Sequence, residues 1–228
     1  MKFISFDTET TGLDAKNCRV IELAAEAYDE DFNIIDWMDM LIMLPDGEKI
    51  PERIIELTGI TNNLLKERGV EEVVAAKRFS DMISGDEVIL VAHNAHFDLS
   101  FVSWLLYRNL DKVPEGLGNL KNADYIDTLT ISRDRKMYPH TLKDMIEHYK
   151  LDAKNTHRAI DDAHGVTELL KALNNERADI FHYLNVFGYN PKYGISGNKI
   201  GKVAYFPQPY RSDTDLVEEK DILPRIGK

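Results

Sequence analysis

Apolar residues in the first part of the chain recur in short runs separated by turn residues, a pattern typical of β-strands. Residues 2–6 form the first run, and residues 19–28 and 33–44 form two more, with a turn at 29–31 between them. Three strands joined by short connections predict an antiparallel meander. Residues 87–92 form a later run that is apolar throughout, which is typical of a strand buried on both faces.

After the meander, the spacing of apolar residues changes to a helical period. We predict helices at residues 52–57, 61–68, 70–84, 96–109, 141–149 and 159–173, a short strand at 125–127 and a loop at 110–122. A meander followed by alternating helices and strands indicates an α/β fold with a mixed sheet whose later strands are parallel. Because the composition changes near Asn174, we expect one domain over residues 1–174 and a C-terminal extension over residues 175–228.

The composition is that of a globular protein rather than a disordered one, since 43% of the 228 residues are apolar and 29% are charged. No stretch is long and apolar enough to span a bilayer, and the single cysteine, Cys18, excludes an internal disulfide. We therefore expect a cytoplasmic protein with no membrane partner. The net charge of −11 excludes a protein that coats DNA through a broad basic face. It does not exclude an enzyme that binds a few terminal nucleotides through metal ions.

Acidic residues in apolar surroundings are the candidate chemistry of this chain, because an unpaired buried charge is costly unless it finds a partner or a metal. Asp7 and Glu9 are two residues apart at the end of the first strand, so both side chains point to one face. Asp98 lies in the first turn of the helix that follows strand 87–92. Each feature alone is also explained by a strand end or a helix dipole. Ligand sites of α/β sheets, however, lie at the carboxyl ends of the strands, where both are predicted.

Residues 157–163 add a histidine and two adjacent aspartates near the start of the last predicted helix. If His157 were helical, Asp161 would align with it better than Asp162 would, because four residues make about one helical turn. If His157 precedes the helix in a loop, Asp162 lies in the first turns. Spacing alone does not decide which of the two aspartates belongs to the site with His157. Four carboxylates from three segments would hold hard divalent cations, so the chain is interpreted as a two-metal phosphodiesterase.

These stretches also resemble a known family. Residues 6–13 (FDTETTGL), 92–98 (AHNAHFD) and 157–163 (HRAIDDA) resemble motifs I, II and III of the DEDDh exonucleases. That superfamily includes the proofreading epsilon subunit and the PolC-type exonuclease domain of bacterial DNA polymerase III. The resemblance covers about residues 1–173, and the His-x-Ala-x-x-Asp form of motif III favours Asp162 over Asp161.

The resemblance implies a ribonuclease-H-like three-layer fold, with a mixed central sheet flanked by helices. It also implies hydrolysis of DNA from the 3′ end to 5′-mononucleotides, in proofreading or repair. Two Mg²⁺ or Mn²⁺ ions would be held by Asp7, Glu9, Asp98 and Asp162, and His157 would be the general base. A 3′–5′ exoribonuclease of the same fold is the alternative, and a non-catalytic nucleic-acid-binding module is a weaker one.

Substrate contacts and partners follow from the same resemblance. The residues expected to bind the terminal and penultimate nucleotides are Thr10, Leu13, Asn94 and Phe97. DNA is favoured as the substrate and RNA is the alternative, and a DNA polymerase or replication subunit is the candidate protein partner. Three basic residues, Arg133, Arg135 and Lys136, are expected either to contact phosphates or to form a solvated helix face.

The extension contains a basic and aromatic segment at about residues 186–212, which has no acidic residue. Its basic residues are Lys192, Lys199, Lys202 and Arg211, and its aromatic residues are Phe187, Tyr189, Tyr193, Tyr205, Phe206 and Tyr210. Basic groups interleaved with aromatic rings suit a single-stranded nucleic acid. The alternatives are a hairpin whose aromatic residues pack on the domain and a docking segment for a replication partner.

Overall fold

The central sheet has five strands, β1 (Lys2–Thr10), β2 (Val20–Tyr28), β3 (Ile34–Leu41), β4 (Val88–Ala92) and β5 (Asp124–Asp127). They were identified in a computed structural model, which describes residues 1–110, 120–195 and 197–209. The strand order is β3-β2-β1-β4-β5. β2 pairs antiparallel with β1 and β3, whereas β4 pairs parallel with β1 and β5. The predicted meander followed by parallel strands is confirmed.

The helices whose full length is described are α1 (Glu52–Thr58), α2 (Asn62–Arg68), α3 (Glu72–Met82), α4 (Ala95–Leu110), α5 (Thr128–Arg135), α6 (Leu142–Tyr149) and α7 (Ala159–Glu176). All but α5 lie where apolar spacing predicts a helix. The buried residues of α5 are mostly polar, so its sequence carries no apolar period. Residues 111–119 of the predicted loop at 110–122 lie outside the described residues, and its described positions, Leu110 and residues 120–122, are helical, so the loop prediction is wrong there.

Helices cover both faces of the sheet, which gives the predicted three-layer arrangement. Alternate residues of β1 belong to two separate cores, as expected for a strand buried on both faces. Ile4 and Phe6 pack with residues of α3 and α4, including Phe79, whereas Phe3 packs with residues of α6 and α7. In the part of the chain that the structure describes, no helix is both long enough and apolar enough to cross a membrane.

The described part of the extension packs on the domain. After a 3₁₀ turn at Ile180–Tyr183, strands β6 (Val186–Tyr189) and β7 (Ala204–Pro207) form a separate two-stranded sheet. Phe187 is buried in the same core as residues of β1, so the expected packing of aromatic residues on the domain is found for this side chain. The two strands are parallel and do not form the hairpin considered above, because the chain crosses back before β7. Residues 210–228, with Tyr210 and Arg211, lie outside the described residues.

The sequence predicted that Arg135 would contact phosphates or lie on a solvated helix face, and both predictions are wrong. Its side chain is only 2% exposed, and its guanidinium forms an ion pair with the buried Asp179 and donates to the carbonyl oxygen of Leu173. Arg135 therefore attaches the end of α5 to the end of α7. A buried charge of this kind is tolerated because it is both paired and hydrogen-bonded.

Candidate active site

Strand β1 contributes two carboxylates to the candidate site. Asp7 and Glu9 point to the face of the sheet that α7 covers, because alternate residues of a strand share a face. Burial, together with the neighbouring carboxylates of Asp98 and Asp162, raises the pKa of Asp7 well above its ordinary value. Burial and the carboxylate of Asp162 raise the pKa of Glu9 to about 8. Burial is the larger cause of each shift, and the neighbouring carboxylates add to it because like charges disfavour ionisation.

Asp98 enters the site from the first turn of α4 and is 3% exposed. Its Oδ1 accepts hydrogen bonds from the backbone N–H of Thr8 at 3.0 Å and from the Thr8 hydroxyl at 2.6 Å. β1 thus presents Asp7 and Glu9 on one face and fixes Asp98 through the residue between them. Burial raises the pKa of Asp98 to about 7, although the two hydrogen bonds from Thr8 act in the opposite direction.

The third segment completes the cluster at the start of α7. One ligand atom from each of Glu9, His157 and Asp162 lies within 4.8 Å of the other two, whereas Asp7 and Asp98 are not members of this closest group and are related to it by burial and charge. His157 is exposed, precedes the helix, and has a left-handed backbone with φ of 56°. Asp162 is buried in the first turn and accepts hydrogen bonds from Asn155 Nδ2 at 2.7 Å and Thr156 N at 3.2 Å. Burial raises its pKa to about 6.

The neighbouring aspartate has a different environment. Asp161 accepts a hydrogen bond from the Thr156 hydroxyl and is not a member of the cluster formed by Glu9, His157 and Asp162. The structure therefore separates the two aspartates that spacing alone left open. His157 also lies before the first residue of α7. Of the two alternatives for this segment, the structure therefore has the one in which His157 is in a loop and Asp162 is in the first turn of the helix.

The structure contains a buried ion pair beside the cluster that the sequence analysis did not predict. Glu22 of β2 is 0% exposed and lies directly opposite Glu9 in the sheet register. Its carboxylate accepts hydrogen bonds from Arg158 Nε at 3.0 Å and from the backbone N–H of Ala159 at 2.9 Å. Because Arg158 follows His157 and Ala159 begins α7, Glu22 both caps the helix and fixes the histidine loop. The signal for it was an acid inside a buried strand, where Glu22 and Glu26 are the only charged residues.

A second group of hydrogen bonds shapes the turn before α4. Asp127 Oδ1 accepts from the backbone N–H groups of Asn94 at 2.8 Å and Ala95 at 3.2 Å. Its other oxygen accepts from the Thr130 hydroxyl at 2.6 Å. Asn94 has a left-handed backbone with φ of 75°, a conformation that asparagine tolerates better than most residues. Asp127 therefore holds a strained turn that leads into the helix carrying Asp98.

The four predicted substrate-binding residues lie in two groups. Thr10 is buried and donates from its hydroxyl to the carbonyl oxygen of Gly12 at 2.7 Å, which shapes the loop that carries Leu13. Leu13 is 84% exposed, so its side chain is accessible to a ligand. Asn94 is exposed, and Phe97 is partly buried with its ring centroid 4.8 Å from that of Phe101.

Comparison with solved structures identifies the class of fold. Exonuclease I of E. coli, in complex with a dT13 oligonucleotide, superposes with a TM-score of 0.70 at 20% identity, over 80% of this chain and 43% of that one. Exonuclease I from Methylocaldum szegediense gives a TM-score of 0.67 at 20% identity, over 80% of this chain and 42% of that one. The protein thus has the ribonuclease-H-like α/β fold that the sequence predicted, with acids at the carboxyl end of the sheet.

The family follows from the sequence itself. A family model described as Exonuclease (RNase_T) matches residues 4–170, and the chain belongs to this exonuclease family. The DNA polymerase III PolC-type of Halalkalibacterium halodurans is 38% identical over 173 residues, which are 74% of this chain and 11% of the relative. That of Bacillus subtilis is 34% identical over 181 residues, 78% of this chain and 12% of the relative. The chain spans a small part of the length of these relatives, and the predicted family is confirmed.

Proposed function

We propose that this chain removes nucleotides one at a time from the 3′ end of DNA by metal-dependent hydrolysis. The observation that supports this most directly is the convergence of Glu9, His157 and Asp162, within 4.8 Å, from segments far apart in the sequence. Membership of the exonuclease family supplies the general class of reaction. We propose in addition the direction of degradation, the use of metal ions and the roles of individual residues.

The donor set fits divalent cations. Asp7, Glu9, Asp98 and Asp162 would hold two Mg²⁺ or Mn²⁺ ions, since clustered carboxylate oxygens are the ligands that these hard cations prefer. When bound, such ions supply an activated water and balance charge on the leaving oxygen. The four acids have raised pKa values because they are buried beside one another, so ionising all of them is unfavourable without cations.

His157 would act as the general base. Imidazole groups titrate near neutral pH, so one of its ring nitrogens is suited to accept a proton from the attacking water. The residue is exposed at the edge of the cluster, where solvent and substrate reach it. Its loop is fixed by the ion pair between Arg158 and Glu22, so the ring is carried by a rigid segment although it is itself exposed.

Residues around the cluster would position the end of the strand. Leu13 projects an exposed apolar surface suited to packing against a terminal base, while Thr10 fixes the loop that carries it. Asn94 and Phe97 lie beside Asp98 at the start of α4 and would border the next nucleotide. The names of the relatives support DNA as the substrate and a DNA polymerase, on the same or a separate chain, as the partner. The cytoplasmic location stays a prediction.

Labelled strands test the proposal. DNA labelled at its 3′ or its 5′ end is incubated with wild-type protein and with D162N, in Mg²⁺ or in EDTA. Variant D161N is the matched control, because the adjacent aspartate lies outside the cluster. We expect labelled mononucleotide from the 3′-labelled strand, progressive shortening of the 5′-labelled strand, little activity of D162N or in EDTA, and near-normal activity of D161N.

The same experiment separates the alternatives. Internal cleavage, degradation from the 5′ end, or full activity of D162N would contradict the proposal. RNA of the same sequence is tested in parallel, and faster hydrolysis of RNA would favour the exoribonuclease alternative. Binding of DNA without turnover in either Mg²⁺ or Mn²⁺ would favour a non-catalytic binding module.

A further inference from the structure

The extension is attached to the helix that carries Asp98. The Tyr205 hydroxyl lies 2.8 Å from His96 Nδ1, and it also accepts a hydrogen bond from the backbone N–H of Ile200 at 3.1 Å. His96 is in the first turn of α4, two residues before Asp98. The chain around β7 is therefore attached to the first turn of the helix that carries Asp98.

Between β6 and β7, residues 190–195 and 197–200 form a segment that we call the basic loop. Lys192 and Lys199 are exposed in it, and neither forms an ion pair with any residue that the structure describes. Lys202 differs, because its Nζ lies 2.7 Å from a carboxylate oxygen of Asp124. Residues 186–212 contain no acid, although the whole chain has a net charge of −11. Lys192 and Lys199 thus place two positive charges, without an ion-pair partner among the described residues, on a segment that lacks acids in an otherwise acidic chain.

Aromatic rings accompany these two cations. Tyr193 is 68% exposed, and Lys192 Nζ lies 5.2 Å from the centroid of its ring. Lys199 Nζ lies 5.7 Å from the ring centroid of Tyr205, the residue that contacts His96. An exposed ring beside a lysine presents a stacking surface and a phosphate partner together, which is the combination that single-stranded nucleic acids bind.

We infer that the basic loop binds the single strand upstream of its 3′ end, with Lys192 and Lys199 on phosphates and Tyr193 stacked on a base. The inference rests on the proposed function, because it assumes that a 3′ end occupies the acidic cluster. It assigns the extension a role in holding long substrates. The loop does not contribute to the hydrolytic step.

The test compares long and short substrates. Variants K192Q/K199Q, Y193A and Y193F are compared with K77Q/K143Q, which removes the same charge from exposed lysines of α3 and α6. Binding of a 5′-fluorescein dT strand of about 20 nucleotides is measured in EDTA at several salt concentrations. Steady-state hydrolysis in Mg²⁺ is measured on that strand and on a dinucleotide, which lacks the upstream nucleotides that the loop is inferred to bind.

For K192Q/K199Q we expect the slope of log Kd against log salt to fall by about 1.4, since each phosphate contact on a single strand contributes about 0.7. Y193A should weaken binding by about five- to 150-fold, and Y193F should retain it. KM should rise on the long strand and stay unchanged on the dinucleotide. Binding and salt slope equal to those of K77Q/K143Q would overturn the inference while leaving the exonuclease proposal intact. Loop-dependent binding without any hydrolysis by the wild type would instead contradict the proposed function.

Discussion

Replacing Arg158 by glutamine is expected to destabilise the fold strongly, although the arginine side chain is itself 40% exposed. The reason is its partner, because Glu22 is completely buried and receives its positive charge from Arg158. Without the guanidinium, the carboxylate retains the hydrogen bond from the backbone N–H of Ala159. A single neutral donor does not compensate a buried charge.

The size of the effect follows from this asymmetry. Removing one partner of a buried ion pair costs about 3–5 kcal/mol, because an uncompensated charge is left behind. Water reaches the exposed side of the Arg158 position, which reduces the expected loss to about 2–3 kcal/mol. In a chain of this size each kcal/mol lowers the Tm by about 2–4 °C, so R158Q should lower it by about 4–12 °C. E22Q leaves an arginine that water can solvate, and its loss should be about 1–2 kcal/mol.

Thermal and urea unfolding of R158Q, E22Q and the double variant measure this directly. The matched control is R78Q, because the ion pair of Arg78 with Asp36 is partly exposed on both sides and should contribute about 1 kcal/mol or less. The double variant should be more stable than R158Q, since it leaves no charge unpaired. A loss for R158Q no larger than that for R78Q, or a double variant whose loss equals the sum of the single losses, would refute the reasoning.

Four further predictions concern the candidate active site. H157A should lower kcat by about 10²–10⁴-fold, with metal-induced stabilisation retained, and an unchanged kcat would remove His157 from the mechanism. Mg²⁺ or Mn²⁺ at about 100 times its Kd should stabilise the fold by about 2.7 kcal/mol, or about 5–11 °C in Tm, in D161N but far less in D162N; equal shifts in calorimetry would contradict the site. In EDTA, the free energy of unfolding should fall as pH rises from about 5 to about 8. The raised carboxyl pKa values, such as that of Glu9 at about 8, make the folded chain bind more protons than the unfolded chain over this range. Urea titrations at each pH should show a smaller dependence on pH for E9Q. L13A should leave the Tm within about 1–2 °C of wild type and raise KM, and a lowered Tm would show that Leu13 supports the fold instead.

Much of the fold could be predicted because its local patterns agree with its tertiary structure. The apolar runs of β1, β2 and β4 are strands that bury one or both faces, and six helices lie where helices were predicted. The acids of β1 could be assigned to one face from strand geometry alone. α5 could not be predicted in this way, because its buried face consists mainly of polar residues such as Thr128 and Ser132 that are satisfied by hydrogen bonds.

The parallel pairing of β6 with β7 was not predictable from local pattern either. Each strand has four residues, and the segment between them contains the glycines and exposed polar residues that a hairpin would also contain. Parallel pairing depends on where the intervening chain crosses back, which is decided by contacts with the domain. Lys202 makes one such contact with Asp124, and Tyr205 makes another with His96.

The site shows most clearly why residue identity is insufficient. Glu9 and Glu22 are the same residue type, face the same side of the sheet, and lie opposite each other in neighbouring strands. Glu22 is neutralised by Arg158 and serves the fold, whereas Glu9 is left beside Asp162 with a raised pKa. The difference is made by a guanidinium that lies 136 residues away from Glu22 in the chain, at a point where α7 begins. Because the arginine pairs with one glutamate, only the other has a carboxylate free for the proposed metal site, so the ion pair that stabilises the helix also distinguishes the two acids.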